Sequence, residues 1–172
     1  MDTSALHVDL NDLALRSGDR WERVFPLEMP PVMLGGVPYE VLVPGGVRVI
    51  IKRVAGGFLV DVALEATLYG PCERCLREVS LQVEAQEEEF VPTSKDDWDE
   101  AETSEFIAGT VVDVKGLARE ALVLALPAQI ICTEECRGLC PRCGRDLNRG
   151  PCDCDPEDVD ERWNRLKDLK LD

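Results

Sequence analysis

The stretch GGFLVDVALEATLYGPCERCLREVSLQVEAQEEEFV, Gly56–Val91, decides how the chain folds. Up to Tyr69 it alternates, with Phe58, Val60, Val62, Leu64, Ala66 and Leu68 on one face and Asp61, Glu65 and Thr67 on the other. After the interruption the alternation resumes. Val79, Leu81, Val83 and Ala85 then face Ser80, Gln82, Glu84 and Gln86 across the backbone. A period of two with one polar side describes an antiparallel sheet or open barrel wetted on one face. The expected strands are Phe58–Tyr69 and Val79–Val91, and the hairpin tip between them carries Cys72-Glu73-Arg74-Cys75.

Working toward the N-terminus, Gly35-Gly36, Gly45-Gly46 and Gly56-Gly57 separate further apolar runs, Val37–Val43 and Val47–Val54. Paired glycines reach positive φ at no steric cost, so each pair predicts a tight turn between antiparallel strands. Pro38 demotes the first run to an edge or leaves it irregular, and two more strands are expected around Leu6–Leu10 and Trp21–Phe25.

Toward the C-terminus, Glu84–Glu105 holds ten acidic residues against Lys95 alone. With Pro92, Thr93 and Ser94 inside it, Val91–Thr103 reads as an exposed loop. A solvated linker is the plain interpretation and an acidic docking arm for a basic partner the sharper one. Asp113 then caps a helix that runs to Leu126 and stops at Pro127. Its stripe of Val114, Leu117, Ala118, Ala121, Leu122 and Ala125 is core packing against the sheet. A short terminal helix is expected with Asp155 as its cap and Val159, Trp163 and Leu166 on one face.

Eight cysteines stand in this chain of 172 residues: Cys72 and Cys75, then Cys132, Cys136, Cys140, Cys143, Cys152 and Cys154. Pairs so closely spaced suit two thiolates converging on one tetrahedral ion better than disulfides. The preferred partition sets Cys72, Cys75, Cys132 and Cys136 around one zinc and Cys140, Cys143, Cys152 and Cys154 around another. The rival ribbon pairs Cys72 and Cys75 with Cys140 and Cys143, and a single occupied site is the third arrangement. A tetrad of this kind contributes roughly 10–16 kcal/mol to the folding of a small site. The division that follows is a β-rich domain with its packing helix at 1–126 and a cysteine-rich segment at 127–172.

No basic and apolar leader opens the sequence, and no apolar run approaches the roughly 20 residues needed to span a bilayer. A cytoplasmic location with reduced thiols is expected, and no membrane partner. The formal net charge is −15, which excludes a broad cationic surface for nucleic acid. Contact with RNA must be local. Arg74, Arg137, Arg142, Arg145 and Arg149 flank the cysteines and are candidates for phosphate contact, or else they shield thiolate charge. Arg77 also flanks the first pair and falls under the same two readings. His7 is the single histidine and lies far from the cysteines in sequence. A catalytic zinc keeps an open position, whereas four cysteines close the shell. No catalytic or organic-cofactor motif is found, and no enzyme is expected.

CERCL after a β-run, the apolar helix ending in Leu126-Pro127 and the segment Gly138–Asn148 (GLCPRCGRDLN) together resemble the YceD family. These are bacterial and plastid proteins described as large ribosomal RNA subunit accumulation proteins. The likeness extends over about Leu59–Trp163 and implies a small, acidic, metal-binding protein. The role it implies is support of large-subunit ribosomal RNA accumulation, and no catalytic residue comes with it. Some members lack the later cysteines, which this chain retains. The reading is an α+β fold, an antiparallel sheet or open barrel with one helix and a zinc-knuckle segment. It would act as a ribosome-biogenesis factor that binds a basic large-subunit ribosomal protein or precursor RNA. A thiol redox sensor or enzyme, and an acidic adaptor unrelated to ribosomes, are the alternatives.

Overall fold

The computed structural model describes residues 6–94 and 104–154. The expected terminal helix and most of the acidic loop lie outside these residues. The chain is mostly antiparallel sheet with one helix. Its strands are β1 (His7–Asp9), β2 (Arg20–Phe25), β3 (Val32–Leu34), β4 (Val37–Leu42), β5 (Val47–Val54), β6 (Gly57–Pro71), β7 (Glu78–Pro92), β8 (Ile107–Ala108) and β9 (Val111–Asp113). The helix α1 covers Val114–Ala125.

β6 and β7 form the long hairpin foreseen from the alternation, paired without interruption from Gly57↔Pro92 to Pro71↔Glu78. The other edge of β6 takes two strands end to end. β5 pairs with its first half, Val54↔Gly57 to Val47↔Leu64, and β4 with its second, Leu42↔Thr67 to Glu40↔Tyr69. β2 extends the sheet beyond β5, and β3 beyond β4. The sheets stay open.

Gly45-Gly46 does make a tight turn, with Gly46 N–H donating to the Val43 carbonyl at 3.1 Å, but the strands on either side of it do not pair with each other. Between Leu42 and Val47 the β4–β5 side advances five residues while β6 advances three, from Thr67 to Leu64. The two surplus residues bulge out in this turn, which links strands lying end to end along one edge of β6. Gly46 has φ +68°, and a Cβ there would run into the carbonyl oxygen of Phe25. Gly35-Gly36 turns the chain between β3 and β4, and Ala55-Gly56 turns it between β5 and β6.

The inner face of the sheet carries Tyr39, Val47, Val49, Ile51, Val60, Val62, Leu68 and Val91, all buried. α1 packs on this face against β7 and β6 and contributes Val114, Leu117, Ala118, Ala121 and Leu122. Ala125, expected in the same stripe, is exposed in the last turn. Burying each large aliphatic side chain contributes about 1.5–3 kcal/mol. Asp113 caps the helix as expected, its Oδ1 accepting from the N–H groups of Lys115 and Gly116, each at 3.1 Å.

Two features of the fold escape the alternation. The strand at the N-terminus does not join the main sheet but pairs with β9, His7↔Asp113, in a small sheet of order β1-β9-β8. At the far end of β7 the inward positions pass to Glu87 and Glu89, both half-buried. Burial raises the pKa of Glu89, and the charges of Glu87 and Glu120 raise it further. Four acids of the Glu84–Glu105 run, Glu84, Glu87, Glu88 and Glu89, thus belong to a strand.

Candidate metal centre

The tip of the β6–β7 hairpin is a six-residue loop, Cys72–Arg77, closed by two backbone bonds. Cys72 donates its N–H to the Arg77 carbonyl at 2.7 Å, and Leu76 donates to the Cys72 carbonyl at 2.9 Å. Leu76 takes the left-handed conformation at φ +60°. The N–H groups of the loop thereby turn toward the Cys72 sulfur. Beyond α1 the chain returns to this tip. Glu73 N–H donates to the Ile130 carbonyl at 2.9 Å, and Ile130 N–H returns to the Glu73 carboxylate at 3.1 Å.

That return brings Cys132 and Cys136 onto Cys72 and Cys75, with all four sulfurs within 4.8 Å of one another. Cys72 and Cys136 sulfurs stand 3.8 Å apart, and Cys75 and Cys132 sulfurs 3.6 Å. A tetrahedron with metal–sulfur distances of about 2.3 Å has edges of about 3.8 Å. Cys72 is fully buried, with Cys75 and Cys136 close behind. Cys140, Cys143, Cys152 and Cys154 form a second set, also within 4.8 Å of one another. Among the described residues no disulfide links any of the eight.

The second set is built on the same loop as the first. Cys140-Pro141-Arg142-Cys143-Gly144-Arg145 repeats the pattern Cys-x-Arg-Cys-x-Arg of Cys72–Arg77. Cys140 N–H donates to the Arg145 carbonyl and Gly144 N–H to the Cys140 carbonyl, each at 2.9 Å, with Gly144 at φ +70°. No internal repeat beyond the Gly-Gly pairs was expected from the sequence, and these two six-residue strings correct that. The two loops are tied together, because Leu139 N–H donates to the Arg74 carbonyl at 3.0 Å.

The sulfurs have cationic and polar neighbours. Arg77 donates through Nε to Cys75 Sγ at 3.4 Å and through Nη2 to Cys132 Sγ at 3.3 Å. Cys132 N–H donates to Cys72 Sγ at 3.3 Å, and Asn148 Nδ2 to Cys136 Sγ at 3.6 Å. Arg77 is thus one of the flanking arginines and sits where shielding of thiolate charge requires it, whereas Asn148 was not singled out from the sequence. Of the other arginines that were, Arg74 braces the first set, donating to the Cys136 carbonyl at 3.2 Å and to Gln129 at 3.0 Å. Arg137 and Arg142 are exposed. Arg145 lies 3.8 Å from Asp153, and Arg149 lies 3.5 Å from Asp146, as surface pairs. His7 is in β1, within the small sheet.

The thiols divide by environment. Burial resists ionisation of Cys72, but the N–H groups of Cys75, Arg74 and Cys132 prevail and bring it down to about 6. Cys140 comes down to about 6 through the N–H groups of Cys143 and Arg142. The Arg77 side chain lowers Cys75, and Cys75 in turn raises Arg77. In the opposite direction, burial and then the Cys136 sulfur push Cys132 up to about 11. The Cys143 sulfur and then burial push Cys154 up to about 12. Four anionic sulfurs so close together repel, and a divalent cation at their centre inverts that balance. The donor chemistry, the spacing and the surrounding N–H groups all fit a metal ion in each set.

Residues 60–170 match the family model described as large ribosomal RNA subunit accumulation protein YceD. The chain is similar to uncharacterised proteins of Mycobacterium tuberculosis and Mycobacterium bovis, 29% identical over 122 residues, covering 69% of this chain and 58% of theirs. The matched stretch thus spans little more than half the length of those relatives. It is also similar to the chloroplastic large ribosomal RNA subunit accumulation protein YCED homolog 1 of Arabidopsis thaliana, 32% identical over 59 residues, covering 34% of this chain and 18% of that one. No solved structure matches.

Proposed function

The chain belongs to the YceD family, and from that premise we propose a non-enzymatic zinc-binding factor that supports accumulation of large-subunit ribosomal RNA. It does so in the cytoplasm, by binding a basic ribosomal protein or precursor RNA. The observation that carries the reading is the pair of four-sulfur sets on one repeated loop. All-sulfur sets favour zinc among the common divalent ions, and four cysteines leave the ion no open position for substrate. When bound, zinc supplies cross-linking charge. Cys72, Cys75, Cys132 and Cys136 would hold one ion and pin the segment after α1 to the hairpin tip. Cys140, Cys143, Cys152 and Cys154 would hold the other.

Several features support a binding module over a thiol enzyme. The two thiols brought down to about 6, Cys72 and Cys140, are both buried, whereas a redox nucleophile needs access. The net charge of −15 favours a basic protein partner over naked RNA. Among the described residues no helix is long and apolar enough to cross a membrane. The test is complementation. Loss of the gene should lower large-subunit ribosomal RNA, wild type should restore it, and Cys75→Ser should not. Normal large-subunit RNA in the deletion strain refutes the proposal.

A further inference from the structure

The outer face of the main sheet, opposite α1, leaves several large apolar side chains exposed, although Ile50 and Asp61 in its middle are buried. Val24, Leu42, Tyr69 and Phe90 lie on it at 56%, 55%, 46% and 47% exposure, too apolar a set for a face meant only for water. Between them runs a ladder of carboxylates. The strand register sets Glu65 directly opposite Glu84 and Asp61 directly opposite Glu88. Like charges directly opposed on one face of a sheet are destabilising. Asp61 is relieved by a hydrogen bond from Gln86 Nε2 at 2.6 Å. Among the described residues no ion pair reaches Glu65 or Glu84.

The same place is hollow. The bulge at Gly45-Gly46 contributes backbone without side chains, and Ala63 beside it is short. The resulting depression of about 490 Å³ is lined by Val24, Gly46, Arg48, Ala63, Glu65 and Glu84, among others. Val24 and Ala63 offer an apolar wall, and the two glutamates offer paired acceptors at one rim. Arg48, the one cation among the lining residues, pairs in register with Ala63 on the β5 side, away from β7. A long side chain with an alkyl stem and a cationic head matches this combination.

We propose that this face docks a lysine- and arginine-rich segment of a partner protein, with one basic side chain entering the hollow between Glu65 and Glu84. The proposal rests on the reading above in which the partner is a basic protein, and it says where that partner sits. RNA would bring phosphates against carboxylates, and a second copy of this chain would bring carboxylates against carboxylates. Charge favours the cationic protein over both.

The experiment uses the full-length, metal-loaded chain and a labelled peptide of about 18 residues in which Lys and Arg alternate with Leu and Val. Binding is followed by fluorescence anisotropy between about 50 mM and about 200 mM salt, with single-stranded RNA of equal length in parallel. The peptide should bind, more weakly as salt rises. Glu65→Gln/Glu84→Gln should weaken it about tenfold or more, while Asp96→Asn/Asp97→Asn/Asp99→Asn in the acidic connection leaves it unchanged. Hydrogen exchange should show protection along β6 and β7. Metal content and thermal melting of the double variant report on folding, and removal of opposed charges should not lower either. Absence of peptide binding, equal binding by the double variant, protection elsewhere, or RNA occupying this face overturns the proposal. If gene deletion leaves large-subunit RNA intact yet the peptide binds as described, the ribosomal reading fails and the docking face stands. If the RNA falls but the double variant binds like wild type, the converse holds.

Discussion

Leu76 and Gly144 occupy the same position in two copies of one loop, each donating its N–H to the carbonyl of the leading cysteine at 2.9 Å. Their φ angles are +60° and +70°. A side chain held there costs about 1–2 kcal/mol. At Gly144 no atom lies within 4 Å of an added Cβ, so the cost of Gly144→Leu is backbone strain alone. That variant should surrender metal to a chelator earlier, by about 1–2 kcal/mol in a competition titration. Leu76→Gly should change stability by less than about 1 kcal/mol, since relief of strain is offset by the freer unfolded chain.

Arg77 is the sulfur donor whose removal should be felt most. Arg77→Gln leaves Cys75 and Cys132 without their guanidinium neighbour. Loss of such outer partners weakens metal binding about 10–100-fold. Arg145, at the equivalent place in the second loop, pairs at 3.8 Å with exposed Asp153, and Arg145→Gln should change affinity little. A colorimetric zinc competition assay reads both.

Metal binding near pH 7 should release protons from each set. Cys72 and Cys140 are already thiolates there, while Cys132 and Cys154 keep their protons. Calorimetric titrations in buffers of different ionisation heat should therefore differ. Equal heats in all buffers would contradict the thiol assignments. In metal-free protein the sign runs both ways around the ordinary thiol value of 9.0. The stability carried by Cys72 and Cys140 is present above that value and lost as pH falls through about 6. The stability carried by Cys132 is present below 9.0 and lost as pH rises through about 11. Melting temperature of the apo chain should rise between pH 6 and 9 and fall beyond.

Tyr39 braces the foot of the cysteine loop, at the tip of the β6–β7 hairpin. It is 1% exposed, and its hydroxyl donates to the Pro71 carbonyl at 2.7 Å. Tyr39→Phe should cost about 1–2 kcal/mol in denaturant unfolding and leave metal stoichiometry unchanged.

The alternation of Phe58–Tyr69 and Val79–Val91 was enough to locate β6, β7 and their cysteine-bearing tip, because a half-buried hairpin writes its faces into every second residue. The cap at Asp113 was legible for a similar local reason. Gly45-Gly46 was legible as a turn but not as one between end-to-end strands. A glycine pair suits a turn between paired strands or a bulging turn along one edge equally, and only the register of β4 and β5 along β6 separates them. Of the small sheet only β1 was legible, as the strand expected around Leu6–Leu10; β8 and β9 were not, because they are three residues or fewer, and the pairing of His7 with Asp113 joins distant parts of the chain. The sulfurs were legible as a set and Arg77 as a flanking cation, but Asn148 reaches them through loop geometry that leaves no periodic trace.

The hairpin that ends in Cys72 and Cys75 is complete long before its counterparts at Cys132 and Cys136 have been synthesised. A growing polypeptide therefore presents an unfinished chelate for the 56 residues that separate Cys75 from Cys132. Closure of that first cage is possible only after the whole of α1 has left the translating machinery, so an ion captured there would register that the β-rich part of the molecule has been made in full.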